Sequence, residues 1–120
     1  MEQYYGESGK LSSANKTCVF IIQIPKGKIE LKFENLRVPY NDSIIVTEKR
    51  EQFLVNTTTK VSYIMSSDSG QVKYIISERE ESTLEVKFNS SAKFDLTFRQ
   101  FKLGLLLWFF FKYVIKPLPV

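Results

Sequence analysis

Four of the five asparagines in this chain open a triplet of the form Asn-x-Ser/Thr. They are Asn15-Lys16-Thr17, Asn41-Asp42-Ser43, Asn56-Thr57-Thr58 and Asn89-Ser90-Ser91. The chemistry this pattern serves is transfer of an oligosaccharide to the side-chain amide nitrogen, which happens on surface loops of secreted proteins. Serine and threonine make up 19 of the 120 residues, so chance would give the five asparagines fewer than one such triplet. A polar β surface rich in Asn, Ser and Thr is the bland alternative. The pattern places the chain in an extracellular or lumenal compartment, with Asn15, Asn41, Asn56 and Asn89 exposed as acceptors.

Other chemistry is thinly supplied. There is no histidine, which removes the commonest general base, the Ser-His-Asp triad and the usual zinc sites. The single cysteine, Cys18, can close no disulfide within the chain and reads by itself as a small buried hydrophobe. The carboxylate pairs Glu80-Glu81 and Glu48/Glu51 sit in charge-rich stretches that read as solvated turns, so no enzyme is expected. Asp42 reads as a turn former holding its own backbone. The net charge of +4 comes from 17 basic and 13 acidic residues scattered singly, so no nucleic-acid partner is expected.

The elements that must position these groups are strands. With 43% hydrophobic residues, 120 residues suffice for one domain with a core. Ile29, Leu31 and Phe33 alternate with Glu30, Lys32 and Glu34, the period-two signature of a strand with one buried face. Ile24-Pro25-Lys26-Gly27 supplies a turn before it, and Cys18, Phe20, Ile22 and Ile24 share one face of the strand preceding that turn. Leu84, Val86 and Phe88 alternate again, as do Phe94, Leu96 and Phe98, with a hairpin-length connection between them. Shorter strands are expected at 43–47, 53–55, 61–65 and 72–76. Glu48 to Glu51 reads as a charged turn, and Asn56 to Lys60 as a polar one.

About eight short strands with polar turns imply an all-β fold, a two-sheet antiparallel β-sandwich of jelly-roll type over residues 17–101. Its core is expected to draw on Phe20, Ile22, Leu31, Phe33, Ile45, Leu84, Val86, Phe88, Leu96 and Phe98. Residues 1–16 read as a loose lead-in. Met1 to Tyr5 lacks the basic and apolar regions of a secretory leader, so the true start is expected upstream.

Residues 102–120 break the pattern with the apolar stretch Leu103 to Ile115, interrupted by Lys112. Thirteen helical residues reach about 20 Å, short of a hydrocarbon core of about 30 Å, so a finished transmembrane helix is not expected. Three readings of the stretch stand side by side: a core or interface element, an interfacial membrane segment, and sequence foreign to the domain.

In order and spacing, these pieces resemble a CUB domain, an extracellular β-sandwich module. The likeness runs from Cys18, through the Pro25–Gly27 turn, to Ile29-x-Leu31-x-Phe33. It continues with Tyr40 and Asp42 ahead of Ile44, Ile45 and Val46. Ile75, Ile76 and Ser77 follow, then Leu84, Val86, Phe88 and Ser90, and finally Phe94-x-Leu96-x-Phe98. The match spans about residues 8 to 101. The resemblance implies recognition of a protein or glycan partner through loops at the ends of the sandwich, with Tyr40 and Asp42 among the binding residues. It implies a disulfide partner for Cys18 outside this chain, since the family usually carries four cysteines. It also implies a Ca²⁺ site built from one Glu and two Asp. Of these only Asp42 matches; Ser90-Ser91 stands where the family has Ser-Asp, and Glu34 lies in uncertain register. The alternative function is a membrane-associated structural ectodomain fragment that works through Leu103 to Ile115.

Overall fold

Ile29, Leu31 and Phe33 are fully buried in a nine-residue strand, β4 (Ile29–Arg37), as their alternation requires. The computed structural model describes residues 2–14, 18–52 and 55–102, the side chains of Gln52 and Asn56 aside. The other strands among these residues are β1 (Glu2–Tyr5), β2 (Ser8–Ser12), β3 (Val19–Gln23), β5 (Ser43–Gln52), β6 (Val55–Met65), β7 (Lys73–Ile76), β8 (Thr83–Lys87) and β9 (Lys93–Gln100). A short 3₁₀ turn covers Ser66–Asp68.

The strands form two sheets packed face to face. Five make one sheet in the order β1-β3-β8-β5-β6, and four make the other in the order β2-β9-β4-β7. All pairings are antiparallel except β1 with β3. The β-sandwich expected from the sequence is therefore the fold. The inner faces bury Phe20, Ile22, Leu84, Val86, Ile44, Val46 and Ile64 from the five-stranded sheet against Leu11, Leu31, Phe33, Phe94, Leu96 and Phe98 from the four-stranded one. Phe20, Phe33, Phe88 and Phe94 form the centre. Phe88 meets Phe94 edge-on at 4.9 Å between ring centroids, and Phe33 meets Phe94 at 5.4 Å. Such pairs add about 0.5–1.5 kcal/mol beyond area burial. Gly9 stands opposite Phe98, and a Cβ there would come within 2.6 Å of the ring, so the position has room only for hydrogen.

Five expectations need correction. Within the lead-in expected over 1–16, the described residues 2–14 hold β1 and β2, one strand in each sheet, with Leu11 and Ser13 buried. The charged stretch Glu48 to Glu51 and the polar stretch Asn56 to Lys60 are strand, not turn. They pair with each other in the long β5–β6 ladder, which runs from Ser43 opposite Met65 to Gln52 opposite Val55. Of the strand expected at 53–55, Val55 lies in β6, and Phe53 and Leu54 fall outside the described residues. Ile45 points outward and is half-buried, while Ile44 and Val46 are in the core. Three apolar residues in a row carry no alternation to set the phase. Pairing does so, placing Ile44 across from Ile64 and Val46 across from Val86. Cys18 is exposed, just before β3 begins, and does not continue the buried face of Phe20, Ile22 and Ile24.

Polar groups taken into the interior are matched. Glu30 lies under Arg99, whose Nε and Nη2 donate to its two oxygens at 3.3 and 3.2 Å. Glu48, on β5, receives hydrogen bonds from the loop before β8: Glu78 N–H at 2.8 Å, Arg79 N–H at 3.1 Å and the Ser82 hydroxyl at 2.8 Å. That loop is also tied to β4, where Ile29 N–H donates to Ser77 Oγ at 2.9 Å.

Candidate functional site

The loop from β4 to β5 and the turn from β8 to β9 meet at one end of the sandwich. Pro39 to Asp42 is closed by the Asp42 N–H donating to the Pro39 carbonyl at 3.0 Å. Its third residue, Asn41, has φ of +68°, a left-handed conformation that Asn tolerates better than most residues. Asn89 to Ala92 is closed likewise, by the Ala92 N–H to the Asn89 carbonyl at 3.0 Å. Asp42 joins the two. Its Oδ1 accepts from Asn89 Nδ2 at 2.6 Å and its Oδ2 accepts from Ser91 Oγ at 2.7 Å. Both bonds favour the ionised form, so the Asp42 carboxyl is held below its ordinary range, by Ser91 first and Asn89 second.

Tyr40 stands on this braced turn with 85% of its surface exposed. Beside the brace is an open depression of about 380 Å³ lined by Cys18, Val19, Asp42, Ile45, Lys87 and Asn89, among others. The resulting surface offers one aromatic ring, one carboxylate with both oxygens engaged, amides, hydroxyls and a lysine. These groups can contact a partner through stacking and hydrogen bonds.

The structure thus brings together Tyr40, Asn41, Asp42 and Asn89 from the residues singled out in sequence, with Cys18 on the rim of the depression. Asn41 and Asn89 are exposed. The Asn89 amide nitrogen is the atom a glycan would be joined to, and it is also the atom that donates to Asp42. Asn56 lies in β6 opposite Glu51, with its side chain outside the described residues, as is the whole of Asn15. Glu34 is in β4 opposite Asp95 and bridges Lys32 at 3.4 Å, so it is engaged on the outer face of the four-stranded sheet.

Ca²⁺ takes six to eight oxygens with carboxylates prominent among them. Here the two Asp42 oxygens face donors, and among the described residues no three acidic, His or Cys side chains are grouped to hold a metal. Lys87 belongs to the site but carries no signal in the sequence, and Ser91 was marked there only as the end of the Asn89 triplet, standing where the resembled family has Asp. Asp42 and Ser91 are 49 positions apart, and only the placing of β8 next to β5 brings them together.

Of the carboxylates considered for catalysis, Glu48 is buried and fully occupied by the loop before β8, while Glu51, Glu80 and Glu81 are exposed. No protein-family model matches this chain, and a search of curated proteins finds no match.

Proposed function

We propose that this chain is a non-catalytic, CUB-like extracellular recognition module that contacts a protein or glycan through the end loops at Tyr40–Asp42 and Asn89–Ser91. One observation carries the reading: a large aromatic side chain, Tyr40, is 85% exposed on a turn immobilised by two hydrogen bonds from the neighbouring turn. An exposed Tyr on a fixed backbone loses little entropy on binding and offers both an apolar face and a hydroxyl. The four acceptor triplets support the compartment.

The test uses the full chain made in a secretory host. Glycosidase treatment should lower its mass, with glycan found at the exposed Asn41. The purified chain is then applied to a glycan array and to a panel of immobilised secreted ectodomains. Any partner found should bind at least tenfold more weakly to Tyr40→Ala and Asp42→Ala, and equally well to Tyr74→Ala. Binding indifferent to Tyr40 and Asp42 overturns the assignment of these loops, and an unmodified chain overturns the compartment. The membrane-associated alternative rests on Leu103 to Ile115, outside the described residues. Among the described residues no helix is long and apolar enough to cross a membrane.

A further inference from the structure

The two outer faces of the sandwich differ in chemistry. On the four-stranded sheet, Lys10, Lys32, Glu34, Asp95 and the Glu30–Arg99 pair make a charged surface typical of a strand face in water. On the five-stranded sheet, the pairing lines up Val19, Lys87, Ile45 and Tyr63 in one row, and Ile21, Glu85, Thr47 and Val61 in the next. Met65 follows Tyr63 on the same face of β6. Tyr63 is 60% exposed, Val61 44% and Met65 48%. Alternation normally puts polar residues at such positions. Here the charges of β8 are instead neutralised at the surface, Lys49 of β5 and Lys87 of β8 lying 2.6 and 3.1 Å from the two oxygens of Glu85.

We propose that this face is the docking surface for the chain's own segment Leu103 to Ile115. The described chain ends at Lys102, beyond β9, where Phe101 N–H bonds the Lys28 carbonyl at 2.7 Å. From there a groove of about 700 Å³ passes Arg99 and Gln100 to Ile24 and Pro25, at the end of β3. It leads from the four-stranded sheet over the end of the sandwich to the start of the apolar face.

The reach is sufficient. Packed sheets lie about 10 Å apart, and crossing from β3 to β6 takes three strand spacings of about 4.8 Å. Tyr63 is four residues in from the end of β8 at Thr83, another 13 Å or so at about 3.3 Å per residue. The direct path is about 30 Å, while thirteen residues extend to about 43 Å. The tether keeps the segment near the face at a high effective concentration. A lipid surface covering the same face would have to dehydrate the Lys49–Glu85–Lys87 group, whereas a peptide run can pass beside it.

The chain has one tryptophan, Trp108, inside the segment, and one cysteine, Cys18, exposed at the start of β3. Both can therefore be read without introducing a probe residue. In the full chain, kept monomeric as judged by light scattering, Trp108 emission should be blue-shifted and poorly quenched by acrylamide at every dilution. A dansyl group on Cys18 should accept energy from Trp108. The pair Val61→Lys and Tyr63→Lys should red-shift the emission and raise quenching several-fold with circular dichroism unchanged. Thr97→Lys, on the opposite outer face, should do neither. If the pair unfolds, the unsubstituted dansyl-labelled chain still decides. A solvent-exposed Trp108 without energy transfer in the monomer overturns the proposal. So does a blue shift that survives Val61→Lys with Tyr63→Lys, appears only on phosphatidylcholine vesicles, or appears only at high concentration, where a second copy is the occupant.

Discussion

Replacing Glu48 with alanine should destabilise the domain by about 2–4 kcal/mol, through the loop it holds more than through the strand it belongs to. Glu48 is 2% exposed, and among the described residues no Lys or Arg pairs with it. Its charge is met by three donors at 2.8–3.1 Å, all from Glu78, Arg79 and Ser82. Removing the carboxylate leaves the Ser82 hydroxyl, which is buried, to fall back on its weaker bond to the Arg79 carbonyl at 3.3 Å. The two N–H groups belong to exposed residues and can recover water in part. A donor left buried costs about 1–3 kcal/mol. Lost packing of the side-chain stem adds about 1–2 kcal/mol, and removing a desolvated charge gives some back. Glu48→Gln keeps the shape and one acceptor oxygen, so its cost should be about half.

For a domain of this size, a loss of 2–4 kcal/mol lowers the melting temperature by about 10–25 °C. Urea denaturation followed by circular dichroism measures the total. Amide hydrogen exchange should show protection lost first at Ile29 and Ser77 to Ser82, before the central strands. An alanine variant within about 0.5 kcal/mol of the parent, or exchange spread evenly over the sheets, would refute the anchoring argument.

Three further outcomes follow from the same geometry. Glu81 has φ of +59°, so Glu81→Gly should gain about 0.5–1 kcal/mol in urea denaturation, and a loss would contradict the strain argument. Asp42, Asp68 and Glu85 have folded pKa values below their ordinary 3.8, 3.8 and 4.5. Each therefore contributes stability that is complete above those values and lost as pH falls through the lower folded ones. Stability should drop below about pH 4, and carboxyl titration by NMR should find all three midpoints depressed. A chain cut after Phe101 should keep a cooperative melt, because β9 ends its pairing at Gln100 with Ile29. A flat thermal transition would show that the removed segment is part of the core.

The strands legible in the sequence are those with one face in the core and one in water. Ile29-x-Leu31-x-Phe33, Leu84-x-Val86-x-Phe88 and Phe94-x-Leu96-x-Phe98 each show it. Where a strand leaves the core, the signal goes too. Arg50 to Gln52 and Val55 to Thr57 pair only with each other, beyond Thr83 where β8 begins, so nothing selects apolar residues at every second position. The edge strands β1 and β2 failed to register for a related reason. Each gives the core little more than one large side chain, Tyr4 or Leu11, too few to make a period. At the site, Tyr40, Asp42 and Asn89 were legible as separate residues. Their juxtaposition was not, because it depends on a strand pairing across more than forty positions.

The last described strand to be made is not at an edge. β9 lies between β2 and β4, and β8 lies between β3 and β5. A chain emerging from the ribosome can close the β5–β6 hairpin early, since that pairing is local. The pairings β2–β9, β4–β9, β3–β8 and β5–β8 wait on residues 83–100, and for β3–β8 and β2–β9 loops of some sixty to ninety residues must close when these arrive. Until then β2 and β4 flank an empty slot, with Leu31 and Phe33 ready to pair with whatever strand comes first. The half-made domain is thus most vulnerable to aggregation immediately before its final twenty or so sandwich residues appear. A translational pause ahead of Thr83 should lower the yield of soluble protein more than a pause of equal length after Gln100.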